Sequence, residues 1–76
     1  SPEQQISDAE NMKATFRAKA DSEISWRQDA VDAGIATDEE TSTLSQWKKY
    51  RVLLMRVDTS TAPDIEWPTP PAVQAR

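Results

Sequence analysis

Neither cysteine nor histidine occurs in this 76-residue chain, and glycine occurs once, as Gly34. Without thiol and imidazole side chains there can be no disulfide, no zinc finger and no Cys or His nucleophile, and the usual ligands of transition metals are missing. The serines and threonines lack the histidine of a conventional triad, and one glycine cannot build a phosphate-cradling loop. No apolar run reaches the length of a membrane span, and no signal peptide is visible. Positive charge is also scarce, leaving a formal net charge of −4. That balance argues against nucleic acid, because neutralising phosphates requires a basic face. Lys48, Lys49, Arg51 and Arg56 form the only basic cluster. It reads as the solvated C-terminal half of a helix, complementing the macrodipole opposite Asp38, Glu39 and Glu40 at its start.

A chain of this length buries a modest core, and with no disulfide or metal to staple it the expected support is a partner chain. Asp29 with Asp32, and Asp38 with Glu39 and Glu40, are paired carboxylates that acid–base or metal chemistry could use. Helix-surface and capping roles account for them better, because no apolar pocket is apparent to raise their pKa values. The chain therefore reads as a non-enzyme, with no catalytic residue, cofactor or metal and no small-molecule substrate. A soluble, reducing compartment fits the lack of cysteine. The start at Ser1 rather than Met is read as processing or excision from a longer protein.

The single glycine separates two helix-favouring stretches and suits the left-handed position after a helix end. Upstream, Ser1-Pro2-Glu3-Gln4 and Ser7-Asp8-Ala9-Glu10 each offer a helix start, so the first six residues are left open. Ala9, Met12, Phe16, Ala20, Ile24 and Val31 recur at helical spacing, predicting a first helix over about 3–33 with a slanted apolar stripe. Arg17 with Asp21, Lys19 with Glu23, and Glu23 with Arg27 are spaced for weak exposed ion pairs. Trp26 lies off the stripe. It is either a cover over the short side chains Ala30 and Ala33 or a contact for another chain.

After Gly34, Thr37 and Glu40 can form a reciprocal capping box, predicting a second helix over about 38–58. Its apolar face is Leu44, Trp47, Tyr50, Leu54 and Val57, with Leu53 beside it, and Pro63 stops the pattern. The short connection makes the two helices antiparallel neighbours, so residues 1–58 form an all-α helical hairpin. Counting outward from the turn pairs Arg27 with Leu44, Ile24 with Trp47, Ala20 with Arg51 and Phe16 with Leu54. The expected hairpin core is Phe16, Ala20, Ile24, Leu44, Trp47, Tyr50 and Leu54. The longer first helix overhangs the second, leaving Ile6, Ala9 and Met12 without a helical partner, either frayed or held for another contact.

Residues 59–76 hold four of the five prolines and no periodicity, predicting an extended Pro-rich tail that is disordered beyond Pro71. Ile65 and Trp67 are its large apolar groups. Trp67 either folds back near Phe16, Tyr50 or Leu54, or anchors a partner, so Trp26, Ile65 and Trp67 are the candidate partner-binding residues.

From Gln28-Asp29-Ala30-Val31-Asp32-Ala33-Gly34, through Ile35-Ala36-Thr37-Asp38-Glu39-Glu40, the chain resembles the C-terminal region of bacteriophage tail fibre assembly proteins. The likeness continues through Trp47-Lys48-Lys49-Tyr50-Arg51-Val52-Leu53-Leu54-Met55-Arg56-Val57-Asp58 and closes with Ala62-Pro63-Asp64-Ile65-Glu66-Trp67-Pro68. The preceding helix fits more loosely. This resemblance implies a phage or prophage chaperone that helps the receptor-binding tail fibre tip to fold and trimerise, in the cytoplasm of the bacterial host during assembly. It implies the tail fibre protein as partner and no catalytic role. The alternative is a non-catalytic structural module, self-associating through the overhang and retained at the fibre tip. Members of the family are usually longer at the N-terminal side.

Overall fold

The computed structural model describes residues 1–72, within which the elements are a helix α1 (Pro2–Asp32), a helix α2 (Asp38–Met55) and a short 3-10 helix (Thr59–Thr61). The two long helices pack antiparallel as an all-α hairpin, with no strand among the described residues. The expected disorder beyond Pro71 concerns mainly residues 73–76, which lie outside the described residues.

Local chemistry explains each boundary. Ser1 caps α1 by accepting from the Gln4 N–H at 3.2 Å, and Pro2 at the first helical position loses no intrahelical donor. Of the two possible starts, the earlier one is used. At the other end the Gly34 N–H donates to Val31 O and the Ile35 N–H to Ala30 O, both at 3.0 Å. This pair of bonds is a Schellman motif. Gly34 sits at φ +74°, where any residue with a Cβ would be strained by roughly 1 kcal/mol. Four residues later α2 begins with a complete capping box. The Thr37 hydroxyl accepts from the Glu40 N–H at 3.0 Å, and the Glu40 carboxylate accepts from the Thr37 N–H at 2.9 Å. Asp38, Glu39 and Glu40 then place negative charge in the first turn, where the helix dipole favours it.

The second helix stops at Met55, short of the expected Asp58. The reason is competition for Asp58, whose carboxylate accepts from the Ser60 N–H at 2.9 Å and so caps the 3-10 helix instead of continuing α2. Lys13 of α1 donates its ammonium to Val57 O at 2.8 Å, with Met55 O within 3.4 Å. A cation thus satisfies carbonyls just at the end of α2. The segment following α2 is likewise less extended than the composition suggests, because Thr59–Thr61 form one helical turn and reverse the chain.

The core lies along the seam between the helices: Ala20 and Ile24 from α1 against Leu44, Trp47, Tyr50 and Leu54 from α2. Ala20 and Leu54 are fully buried and Trp47 nearly so. The small Ala20 side chain lets the bulky indole and leucine approach the α1 backbone. Tyr50 meets Trp47 edge-to-face, with ring centroids 5.6 Å apart, and its burial pushes the phenol pKa up. Phe16 is half-buried at the edge of this cluster. Along one side of the seam Lys48 donates to Gln28 at 2.7 Å and Arg51 to Asp21 at 2.8 Å, which fixes the register.

At 1.5 Å per residue α1 is about 46 Å long and α2 about 27 Å, so α1 extends well past its partner. The molecule measures 49 × 22 × 19 Å. Leu54→Ala should lower the unfolding free energy by about 2–5 kcal/mol, since it empties a fully enclosed site in the core cluster. Urea denaturation followed by tryptophan fluorescence measures this; a loss near zero would place Leu54 outside the core.

Candidate functional site

The overhanging half of α1 is not left bare. Ala9 is buried even though α2 has already ended beside Lys13, because the 3-10 helix and the tail lie over this end of α1. The return path starts at Asp58 and passes the Thr59–Thr61 turn and the cis Ala62–Pro63 peptide. It is held by the Asp64 N–H donating to Thr61 O at 2.9 Å and the Ile65 N–H donating to Pro63 O at 3.0 Å. The tail then sets the Trp67 indole edge-to-face on Phe16, with ring centroids 5.2 Å apart and planes at 78°. Both rings are half-buried, so Trp67 makes its main contact within the chain while keeping part of its surface in water.

Between the tail and α1 this arrangement leaves a notch of about 310 Å³ lined by Gln5, Asp8, Ala9, Met12, Ala62, Pro63, Ile65 and Trp67. Its walls are mostly apolar. Met12 is 44% exposed at the rim, and Ile65 is half-buried. A notch of this size and chemistry can receive one or two apolar side chains of another protein, and it offers no cluster of polar groups for bond-making chemistry. Among the described residues no group of three or more acidic side chains is placed to hold a metal ion. Hydrogen bonding from Ser60, first from its side chain and then from its N–H, keeps the Asp58 carboxyl below the usual aspartate range, consistent with a capping role.

The candidate residues thus fall into two places. Ile65 and Trp67 share the notch wall, whereas Trp26 lies toward the C-terminal end of α1, 47% exposed and away from it. The Arg27 guanidinium carbon stands 4.4 Å from the Trp26 indole centroid. The same guanidinium donates to the Glu23 carboxylate at 2.7 Å and to Glu23 O at 2.9 Å. Their side chains are only 16% and 21% exposed, so this pair is no exposed surface bridge as its spacing suggests. The Arg17–Asp21 and Lys19–Glu23 pairs are present at 3.7 and 3.3 Å and are the more open ones.

One participant carries no distinctive signal in the sequence. Lys13 looks like any other surface lysine, and its role depends on where α2 ends. Met12 and Ala9 do carry a signal, since the apolar stripe of α1 runs further than α2 is long, and Ile65 and Trp67 supply the matching apolar groups.

The Arg27 hydrogen bond holds the Glu23 carboxyl below the usual glutamate range, with Lys19 assisting against the opposing effect of burial. A carboxyl whose pKa is lowered by folding contributes stability that is complete above the ordinary glutamate range and is lost as pH falls through the lowered value. Glu23→Gln should therefore cost about 0.5–1 kcal/mol at neutral pH, discounted for water reaching the pair. The difference from the parent chain should narrow between neutral pH and a pH below the lowered value, where the carboxyl is protonated. Denaturation midpoints at the two pH values measure it; an equal deficit at both would show that packing, not charge, is responsible.

The family described as Caudovirales tail fibre assembly protein, lambda gpK, matches residues 1–72. The chain is 64% identical over 66 residues to Protein TfaD of Escherichia coli (strain K12), covering 87% of this chain and 35% of that protein. It is 58% identical over 69 residues to the Tail fiber assembly protein of Escherichia phage lambda, covering 91% and 36%. To Tail fiber assembly protein U of Escherichia phage Mu it is 41% identical over 69 residues, covering 91% and 38%. The chain therefore spans little more than a third of the length of these relatives. No solved structure matches.

Proposed function

The chain belongs to the Caudovirales tail fibre assembly protein family, and from that premise we propose that it acts in phage or prophage tail fibre assembly as a non-catalytic chaperone module for the receptor-binding fibre tip. The observation that carries this reading is the family match across residues 1–72, which takes in both helices and the returning tail. The tail fibre protein is the partner. The site of action is the cytoplasm of the bacterial host during assembly, and among the described residues no helix is long and apolar enough to cross a membrane.

The mechanism is binding alone. Subunits of a fibre tip expose apolar surface before they trimerise, and such surface aggregates or pairs wrongly. A rigid hairpin carrying an apolar notch can cover one exposed side chain and be displaced when the correct subunit arrives. That cycle needs no nucleotide. Ile65, Trp67 and the rim residue Met12 are the contacts assigned to it, with Trp26 as a separate outlying contact. Large aromatics with a half-buried ring are apt anchors, because their fixed geometry limits the entropy lost on docking.

The second reading is a structural module that self-associates and stays at the fibre tip. Half-buried Ile6 and exposed Met12 on the α1 overhang favour it, although the tail already occupies part of that surface.

Co-expression of the cognate fibre with and without this protein tests the chaperone reading. Soluble fibre trimer should fall about tenfold or more without it. Met12→Glu, at an exposed helical position, should weaken fibre capture by about 2 kcal/mol while leaving the helix content unchanged. Trimer yield that ignores both changes would count against the proposal.

A further inference from the structure

The opposite edge of the hairpin carries a second concave surface. At about 100° per residue, Met12 and Arg17 fall on opposite sides of the buried face of α1. The edge on the Arg17 side is laddered. Nearest the turn, Lys48 is answered by Gln28, and one level further Arg51 is answered by Asp21. At the next level the pattern breaks, because there Arg17, Arg51, Val52, Met55 and Arg56 surround a groove of about 410 Å³. Asp21 is the one carboxylate in ion-pair reach of any of these guanidiniums among the described residues. It is committed to Arg51 at 2.8 Å and reaches Arg17 only at 3.7 Å. Arg56 has no ion-pair partner among the described residues, although the chain as a whole is acidic with net charge −4. Three of the nine cationic side chains, Arg17, Arg51 and Arg56, thus line one short edge of a molecule that is negative as a whole.

The groove is also partly apolar. Val52 is 49% exposed and Met55 43%, and they stand among the arginines. We infer that this groove is a docking site for an acidic protein segment that sets a carboxylate between Arg17 and Arg56 and an apolar side chain on Val52 and Met55. The guanidinium suits this pairing, since its planar fork matches a carboxylate with two parallel hydrogen bonds and is weakly hydrated enough to lie beside methyl groups. A nucleic acid fits less well. Its phosphates would meet the negative field of the rest of the chain, and Val52 and Met55 would be left facing a charged backbone. The inference does not depend on the partner being a tail fibre, and the groove lies apart from the Ile65–Trp67 notch.

The test is a titration of the isotope-labelled 76-residue chain, followed by amide NMR shifts, with a short synthetic peptide of alternating glutamate and leucine. Shifts should cluster at residue 17 and residues 51–56 and leave the notch unmoved. They should shrink as salt is raised, since exposed charges are screened. Replacing the leucines of the peptide by serine should weaken binding, and replacing its glutamates by lysine should abolish it. The double variant Arg17→Gln, Arg56→Gln should weaken binding about tenfold. Val52→Glu, which places a carboxylate in the groove at an exposed position, should also block it, with helix content by circular dichroism reporting that both variants fold. The inference is overturned by no shift at these residues up to millimolar peptide, or by an equal response to the lysine peptide. An equal response to a DNA duplex would assign the groove to nucleic acid instead. Shifts at the same residues that depend on chain concentration without peptide would assign it to a second copy. Either outcome also overturns the inference.

Discussion

Everything in this molecule is arranged around the close approach of α2 to Ala20. A methyl group at that position lets Trp47 and Leu54 sit against the α1 backbone, and all three are almost wholly removed from water. Burying a large apolar side chain stabilises by about 1.5–3 kcal/mol. Helices in proteins owe most of their stability to tertiary packing of an apolar face rather than to propensity, so the seam and the two helices depend on each other. The register follows from the same contact, and with it the position of Lys13 beside the end of α2 and of Arg51 beside Asp21. Because α2 is the shorter helix, the seam covers only part of α1. The tail covers a further part of α1, burying Ala9 and setting Trp67 on Phe16.

That division of labour explains why the molecule has two unlike edges. On one, the tail returns over Ala9 and leaves the apolar notch walled by Ile65 and Trp67. On the other, the polar ladder of the seam runs out of acceptors, and arginines stand around Val52 and Met55. Neither edge has the converging polar groups that bond-making chemistry needs, and both have the mixed character of protein-binding surfaces. The chain's membership of the tail fibre assembly family covers both edges, since the match runs across residues 1–72.

The features set by neighbouring residues were legible in the sequence. Gly34 marked the Schellman turn, Thr37 and Glu40 marked the capping box, and the 3.6-residue period picked out Leu44, Trp47, Tyr50 and Leu54, the residues buried on α2. The features set by distant residues were less so. Spacing alone gives Glu23 and Arg27 as an exposed pair, because nothing local records that α2 packs beside them. The end of α2 was placed too late, since the choice of Asp58 to cap the following turn is decided by a competition that periodicity does not register. The tail carried one usable clue, a tryptophan with no core of its own, and the bare stripe on α1 was its counterpart. Trp67 as an intramolecular group and Trp67 as a partner anchor stood as alternatives; the half-buried ring on Phe16 is compatible with both.

The packed unit does not stop at the hairpin but includes the tail as far as Trp67. Hydrogen exchange measured by mass spectrometry, on the full chain and on a chain ending at Pro63, tests it most directly. Loss of the tail should speed exchange selectively across residues 5–16 of α1, while residues 20–30 and 44–54 keep their protection. Equal protection of residues 5–16 in the two chains would contradict the account, and would mean that the overhanging helix stands without the tail.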